Sequence, residues 1–536
     1  MRVAVVGGGP GGLFFATLLR RADPAAEVVV FERNRAEDTF GFGVVFSDRT
    51  LAGIDEADPV LRRALAENGT HWDEIEVRLK GERIRCGGNG MAAVVRKTLL
   101  SLMQDRAREV GAQLRFSTAV TLADLADFDL VVAADGTNSV IRDSLPADLG
   151  AEVDTATAKF IWFGTDYLFD CLTFVHARGP DGVFAVHAYP ISDDTSTFIV
   201  ETDEESWRQA GLDEFDVTQP PGASDQISRA YLEKLFAEQI DGHRLLVNNS
   251  RWGNFRTRRT SRWHTLTPQP VVLLGDAAHT AHFSVGSGTK MAMEDAVALA
   301  AALARHAGDL EAALSSYEAA AQPSVRRIQD SARPSLSWWE HFGSYYDSKE
   351  PWQFAYHFFT RSISDARLAR RAPEFTGHIH RQWRDRHGAE PLATPFTHGS
   401  WSSPGRVIAV DADAGEPDRA RAPGGALRLA AQRPGPGAAT PWGARVLAPT
   451  VETGLGDAFR RLAELADGAP AVVAVHGGSS LTRSLLCERA RLAHGLPVLL
   501  VDPALDHDQA VTAVLSGRAD LVGVPADVAR NWQEEA

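Results

Sequence analysis

The chain has 536 residues, 44% of them hydrophobic, so it can bury a large core, and its length suggests roughly three to four domain-sized units. A formal net charge of -15 argues against nonspecific nucleic-acid binding and against adhesion to an anionic membrane, but not against an anionic substrate in a local basic pocket. Cys86, Cys171 and Cys487 are too scattered for a disulfide framework or a CxxC metal or redox pair, which suits a reducing cytoplasm.

The first element is the apolar strand Arg2–Val6, with no signal-peptide pattern ahead of it. No segment reaches the roughly 18–20 apolar residues of a membrane span. The expectation is a soluble cytoplasmic protein. A glycine turn from Gly7 to Gly12, a helix over Leu13–Arg21 and a strand over Glu27–Phe31 follow, a pattern of parallel pairing. Between about 155 and 262 strands follow one another closely: Phe160–Phe163, Leu172–Val175, Val183–Tyr189 and Thr195–Glu201. They predict an antiparallel sheet inserted into the first domain. A buried-type strand over Val271–Gly275 and a long helix over Thr289–Ala307 come next, and helical texture runs on to about 390. Residues 391–445, rich in Pro, Gly and Ala, read as a linker or irregular segment. The strands Ala471–Val475, Leu496–Val501 and Asp520–Val524, with helices between them, predict a small α/β unit over 446–536.

Gly7, Gly9 and Gly12 form a GxGxxG turn between strand and helix, and Glu32 ends the next strand. The glycines permit the tight turn, the approach of a pyrophosphate to backbone, and close helix–strand packing. A carboxylate at Glu32 suits ribose hydroxyls, so the combination points to a dinucleotide. Two further blocks also follow strands. Asp135-Gly136-Thr137-Asn138-Ser139 with Arg142 comes after Leu130–Ala133. Gly275-Asp276-Ala277-Ala278-His279 comes after Val271–Leu274 and precedes Gly286-x-Gly288.

These blocks resemble the DG and GD motifs of the single-component (class A) FAD-dependent aromatic monooxygenases. The resemblance implies an α/β fold: a Rossmann-like FAD-binding domain (1–155 and 263–390, with a helical extension), an inserted antiparallel-sheet substrate domain (156–262) of the para-hydroxybenzoate-hydroxylase type, and the small C-terminal α/β domain. It implies FAD as cofactor, with Asp276 on the ribityl chain and the helix beginning at Gly288, Thr289 and Lys290 aimed at the flavin. It adds Arg33, Gly43, Val44 and Arg96 to the cofactor residues, beside Glu32, Asp135, Gly136 and Gly286. Phe283 stands where the family often has proline, and Lys290 where it often has asparagine. Lys290 could supply a cation to the reduced flavin or be solvated.

Gly41–Val45, Lys159–Thr165, His187–Tyr189, Ser196–Glu201, Trp252–Phe255 and His282–Ser284 are similar to the branch of that family acting on salicyloyl-CoA, anthraniloyl-CoA and tryptophan. The implied reaction is hydroxylation of an aromatic acyl-CoA, salicyloyl-CoA to gentisyl-CoA, with NADH or NADPH and O2 by way of a C4a-hydroperoxyflavin. No metal is needed. His187, Tyr189 and His282 are the candidates for lining the ring or handling the phenol proton, against a plain packing role for each. Trp162 and Phe283 would wall the ring, Asn254 would touch substrate, and Arg256, Arg258, Arg259 and Arg262 would meet the CoA phosphates unless they form a solvated face. The alternatives are hydroxylation of anthraniloyl-CoA, a free aromatic or an indole, an FAD-dependent dehydrogenase, or a non-catalytic flavoprotein.

Residues 392–410 and 440–530 resemble the two ends of an old-yellow-enzyme barrel, with Gly517–Val522 as its last strand, but Val524-Pro525 replaces the phosphate-binding pair. The expectation there is a shortened barrel without FMN, serving as a lid or a homodimer surface.

Overall fold

The structure, a computed structural model, describes residues 1–39, 41–215, 223–282, 288–413, 416–422, 425–435 and 441–535. The chain divides into two compact units, Met1–Gly343 and Ser344–Ala536, not the three or four that length suggested. Among the described residues, no helix is long and apolar enough to cross a membrane.

The first unit is built on a six-stranded sheet in the order His264–Thr265, Val271–Leu273, Leu130–Ala133, Arg2–Val6, Glu27–Phe31, Gln113–Arg115. Its four central strands pair in parallel, and only the His264–Thr265 edge runs antiparallel. Val3, Val5, Leu130, Val131, Val271 and Val272 are fully buried, the continuous apolar run of a strand covered on both faces. Helix Pro10–Ala22 starts at the glycine turn. A Cβ on Gly11 would fall 3.0 Å from the Ala292 Cβ, so this glycine lets helix Pro10–Ala22 press against helix Gly288–Arg305.

The second sheet of this unit runs Leu245–Leu246, Ala151–Thr165, Ser196–Thr202, Gly182–Pro190, Leu172–Gly179, Ile75–Leu79, Glu82–Cys86, and Gly253–Thr260 also pairs with Ala151–Thr165. The predicted strands are all present. The boundary at 155/156 is corrected twice. The long strand begins at Ala151, and the hairpin Ile75–Leu79/Glu82–Cys86 leaves the nucleotide domain to join this sheet, with Ile75–Leu79 parallel to Leu172–Gly179. That pairing joins residues almost a hundred positions apart, so no local signal announces it.

In the second unit the expected linker at 391–445 is structured, which is a further correction. Its strands Val407–Asp413, Glu416–Ala422, Gly425–Ala430 and Trp442–Leu447 join Val472–His476, Val498–Val501 and Leu521–Val524 in a closed barrel. Closure is made by parallel pairing of Val407–Ala409 with Val522–Val524. Ile408, Leu427, Val472, Ala474, Leu499 and Leu521 are among the buried residues of its apolar core. Their strands are short and interrupted by turn residues, which hid the alternation. Helices Pro351–Phe359, Asp365–Arg371 and Pro373–His387 also belong to this unit, so the predicted boundary near 390 moves to 343/344.

Candidate active site

The nucleotide cradle lies at the carboxyl ends of the parallel strands, where an α/β sheet offers its helix N-terminus. Gly7 takes a φ of +111°, and a Cβ there would lie 2.2 Å from the Ala134 carbonyl oxygen. A Cβ on Gly12 would meet the Gly7 oxygen at 2.3 Å, whereas Gly9 and Gly136 have no atom of the described residues within 4 Å of that position. The first and third glycines are therefore demanded by the fold, while Gly9 and Gly136 border open space. Glu32 accepts from Gly8 N at 2.8 Å through one oxygen and from Asn34 N at 2.8 Å through the other, which braces the loop and leaves further lone pairs. Arg33 is exposed.

Asp135 accepts from Ile141 N at 3.2 Å through Oδ2, while its Oδ1 is buried without a partner. No described residue accepts a hydrogen bond from the Arg96 guanidinium. Burial lowers its pKa, offset in part by Asp276 and Tyr189. Asp276 is pushed the other way, raised by burial and partly offset by His279 and Arg96. An orphaned acceptor, an unspent guanidinium and two glycines facing open space fit a large polar cofactor such as FAD.

The two motif loops are tied together by Arg142, a buried residue that donates to the Ala277 carbonyl at 2.9 Å and to the Thr137 carbonyl at 3.2 Å. The turn after Val271–Leu273 is held from below. Asp295 accepts from Gly275 N at 2.9 Å and sits 2.7 Å from the His279 Nε2. Gly43 lies against the substrate sheet, where a Cβ would be 2.3 Å from Ile191, and Val44 is buried in the core. Gly288 and Thr289 open their helix as expected, and the Lys290 Nζ is 2.7 Å from Glu294, so its charge is matched within that helix. Phe283 and Gly286 lie outside the described residues.

The period of two along a strand decides which side chains share the substrate sheet's inner face. Registers pair Phe160 with Glu201, Trp162 with Ile199, Ala185 with Glu201, His187 with Ile199 and Phe174 with His187. Trp162, His187, Tyr189 and Glu201 therefore project from one face. The other face carries Ile161, Phe163, Phe184, Val186, Phe198 and Val200, an apolar core. Trp339 covers the first face, 4.4 Å from the His187 ring centroid, and Phe174 meets His187 edge-on at 4.8 Å. The Tyr189 hydroxyl donates to the Gly43 carbonyl at 3.4 Å, and burial pushes its pKa up to about 12. His282 meets the Phe255 ring edge-on at 4.9 Å.

Other nominated residues are dispersed. Asn254 donates to the Ala156 and Thr157 carbonyls at 2.9 and 3.2 Å and accepts from the Lys159 Nζ at 3.0 Å, clamping the irregularity between Thr155 and Lys159. Its amide nitrogen is thus spent on backbone carbonyls and its oxygen on the Lys159 ammonium. The arginine cluster is split by strand alternation. Arg256 is exposed, and Arg258 donates to the Thr137 carbonyl at 3.3 Å. Burial lowers the Arg258 pKa and Arg142 adds to the shift. Arg259 points the other way, 3.8 Å from Asp330, and Arg262 donates to the Asp148 carbonyl. Strand alternation thus sets Arg258 and Arg259 on opposite sides.

Sequence reasoning named Glu201 and His279 only as members of motif blocks, without a role, and missed Asp295. Glu201 closes a run that reads as an ordinary strand end, yet it is 1% exposed and lies 3.4 Å from His187 and 3.5 Å from His282. A carboxylate ending the apolar stretch Phe198–Val200 on the same parity as its facing histidine was the available signal.

Comparison with known proteins accords with this geometry. A family model described as FAD binding domain matches residues 1–129 and 124–332. A Streptomyces protein named salicyloyl-CoA 5-hydroxylase is 56% identical over 98% of this chain and 99% of its own. A Streptosporangium sibiricum protein named 3-hydroxy-4-methyl-anthranilyl-[aryl-carrier protein] 5-monooxygenase is 38% identical over 63% of this chain and 89% of its own. The solved tetrameric form of 2-methyl-3-hydroxypyridine-5-carboxylic acid oxygenase shares the fold, with a TM-score of 0.51 and 19% identity over 63% of this chain and 92% of that one. The chain belongs to the FAD binding domain family and is a flavin-dependent monooxygenase within it.

Proposed function

We propose that the chain hydroxylates the ring of an aromatic acyl-CoA, converting salicyloyl-CoA to gentisyl-CoA. The observation that carries this reading is the 56% identity, across nearly the whole length of both chains, to the Streptomyces protein of that name. The balance is one thioester, one O2, one NADH or NADPH and one proton in, and one hydroxylated thioester, one oxidised nicotinamide and one water out. Bound FAD supplies the chemistry that activates O2 and delivers one of its atoms to an electron-rich ring.

The chain's own residues bind, orient and exclude water. Gly7, Gly9, Gly12 and Glu32 would hold the nucleotide end, and Asp135, Arg96 and Asp276 the rest of the cofactor. Phe160, Trp162, Phe174, Phe255 and Trp339 would supply the aromatic surface against which a flat ring is held at the point of attack. The 2-hydroxyl of a salicyloyl ring feeds electrons to the carbon para to it, so the pocket needs only to present that carbon. Tyr189 stays protonated and uncharged at neutral pH.

A second reading is favoured by the Streptosporangium relative, named for a ring held on a carrier protein: the thioester handle here could be a carrier arm rather than CoA. The test is nicotinamide oxidation in air by the FAD-loaded protein with salicyloyl-CoA, anthraniloyl-CoA, a carrier-bound salicyloyl group, free salicylate or tryptophan, with products identified by mass. Stimulation confined to salicyloyl-CoA, with gain of one oxygen, is expected. Equal stimulation by free salicylate would remove the thioester from the assignment.

A further inference from the structure

Glu201 holds the most demanding position on the aromatic face. Its carboxylate is buried, and a single oxygen, Oε1, lies within ion-pair distance of both the His187 Nε2 and the His282 Nε2. The three groups come from strand Ser196–Thr202, strand Gly182–Pro190 and the segment after the Gly275–Ala277 turn, so only the folded unit assembles them. Phe174 and Trp339 fix the His187 ring, and Phe255 fixes that of His282.

A carboxylate withdrawn from water is tolerated with a counter-charge or with a proton. On strands Leu172–Gly179, Gly182–Pro190 and Ser196–Thr202 the ionisable side chains of this face are His176, the exposed Arg178, His187, Tyr189 and Glu201, with His282 from the loop and Arg96 felt at Tyr189. Burial holds His176 down at about 3 and Tyr189 up at about 12, which leaves both neutral. The long helix Leu310–Ser348 presents Trp338, Trp339 and Phe342 here, which carry no charge. Within ion-pair distance of one another on this face stand one carboxylate and two imidazoles.

We propose that Glu201 is a positioning residue which holds His187 and His282 as one proton-sharing cluster, and that this cluster takes the proton of the substrate's ring hydroxyl during hydroxylation. This rests on the phenolic-thioester reading above. The O–H bond breaks, its electron pair stays on the ring oxygen and enriches the carbon para to it, and the proton passes to an imidazole nitrogen. When the ring regains aromaticity, the proton on the oxygenated carbon leaves to the water formed in the reaction and the imidazole returns its proton to the ring oxygen, so the cluster ends as it began. At 3.4 and 3.5 Å these are ion-pair separations and not formed hydrogen bonds, and catalytic contacts commonly tighten only when substrate closes on them.

The first test needs no substrate. The imidazole titrations of His187 and His282 are followed by nitrogen NMR in the FAD-loaded full chain, with Glu201→Gln beside the unaltered protein. The expected result is that Glu201→Gln weakens proton binding at both rings by roughly tenfold or more, because the anionic neighbour is gone. Unchanged titration midpoints would overturn the proposal. The second test reads the absorbance of bound salicyloyl-CoA without oxygen or nicotinamide, from about pH 5 to about pH 9, the range in which histidine clusters titrate. Glu201→Gln should shift ionisation of the bound phenol to higher pH, and Glu201→Asp, which keeps the carboxylate, should recover part of the shift. Wild-type ionisation in a Glu201→Gln protein with a lowered Tm would make Glu201 a packing residue and end the proposal. Coupled titrations without any spectral response to salicyloyl-CoA in the unaltered protein would instead remove the substrate reading.

Discussion

The His279 Nε2 lies 2.7 Å from the Asp295 Oδ2, and the same carboxylate oxygen accepts the Gly275 amide at 2.9 Å, with both side chains 2% exposed. One buried carboxylate thus fixes both ends of the turn that carries Asp276. Burial alone would lower the His279 pKa, but the Asp295 carboxylate outweighs it and leaves that pKa raised. The imidazolium's stabilising contribution is then complete below the unfolded histidine pKa and is lost as pH rises through the raised folded value. Replacing His279 by Ala should cost about 3–5 kcal/mol, the scale for breaking a buried pair. Asp295→Asn should flatten the loss of stability above the ordinary histidine range. Urea unfolding at several pH values checks both.

Gly9 and Gly12 should separate cofactor binding from folding. Ala at Gly12 places a Cβ against the Gly7 carbonyl and should destabilise the chain by about 1–3 kcal/mol. Ala at Gly9 meets no atom of the described residues and should cost at most about 1 kcal/mol through the weaker helix cap, yet it should impair FAD retention at least as severely. Apoprotein melting and FAD titration by fluorescence distinguish the two effects.

Arg142 bridges the two motif loops through the Thr137 and Ala277 carbonyls. Each hydrogen bond from a charged donor is worth about 1.5–3 kcal/mol. Arg142→Ala should therefore raise the FAD dissociation constant by roughly tenfold or more, with 1.4 kcal/mol per decade. FAD retention during gel filtration and equilibrium titration are the measurements.

Arg259→Ala should leave KM for a CoA thioester within roughly twofold, because Arg259 leaves the strand on the opposite side from Arg258, and its pairing with Asp330 is of the weak, solvent-screened kind. A tenfold rise in KM would restore the arginine cluster as a phosphate site.

In the barrel unit, the Lys349 ammonium donates to the Ser516 and Gly517 carbonyls, and burial lowers its pKa to about 7, with Arg491 adding to the shift. The unfolded chain binds this proton more tightly, so stability should rise with pH from about 7 toward the ordinary lysine range. Lys349→Met should flatten that rise. Thermal unfolding of the full chain as a function of pH reads the slope.

The amino-acid sequence by itself determined the nucleotide half of this protein, because its signals are local. A strand, a glycine turn and a helix N-terminus lie within two dozen residues, and the DG and GD loops each follow their own apolar strand. The family blocks put His187 and Tyr189 forward, and their spacing of two sets them on one face of one strand. What only the tertiary structure decided depends on register between distant segments. It brought Glu201 between His187 and His282, carried the Ile75–Leu79 hairpin into the substrate sheet, and closed the barrel through residues whose composition resembles a linker. It also dispersed the arginines, since neighbours in a strand face opposite ways. A shift of one residue in any of these pairings would turn each side chain to the other face, and that choice is made by packing across the whole unit, not by any stretch of the chain alone.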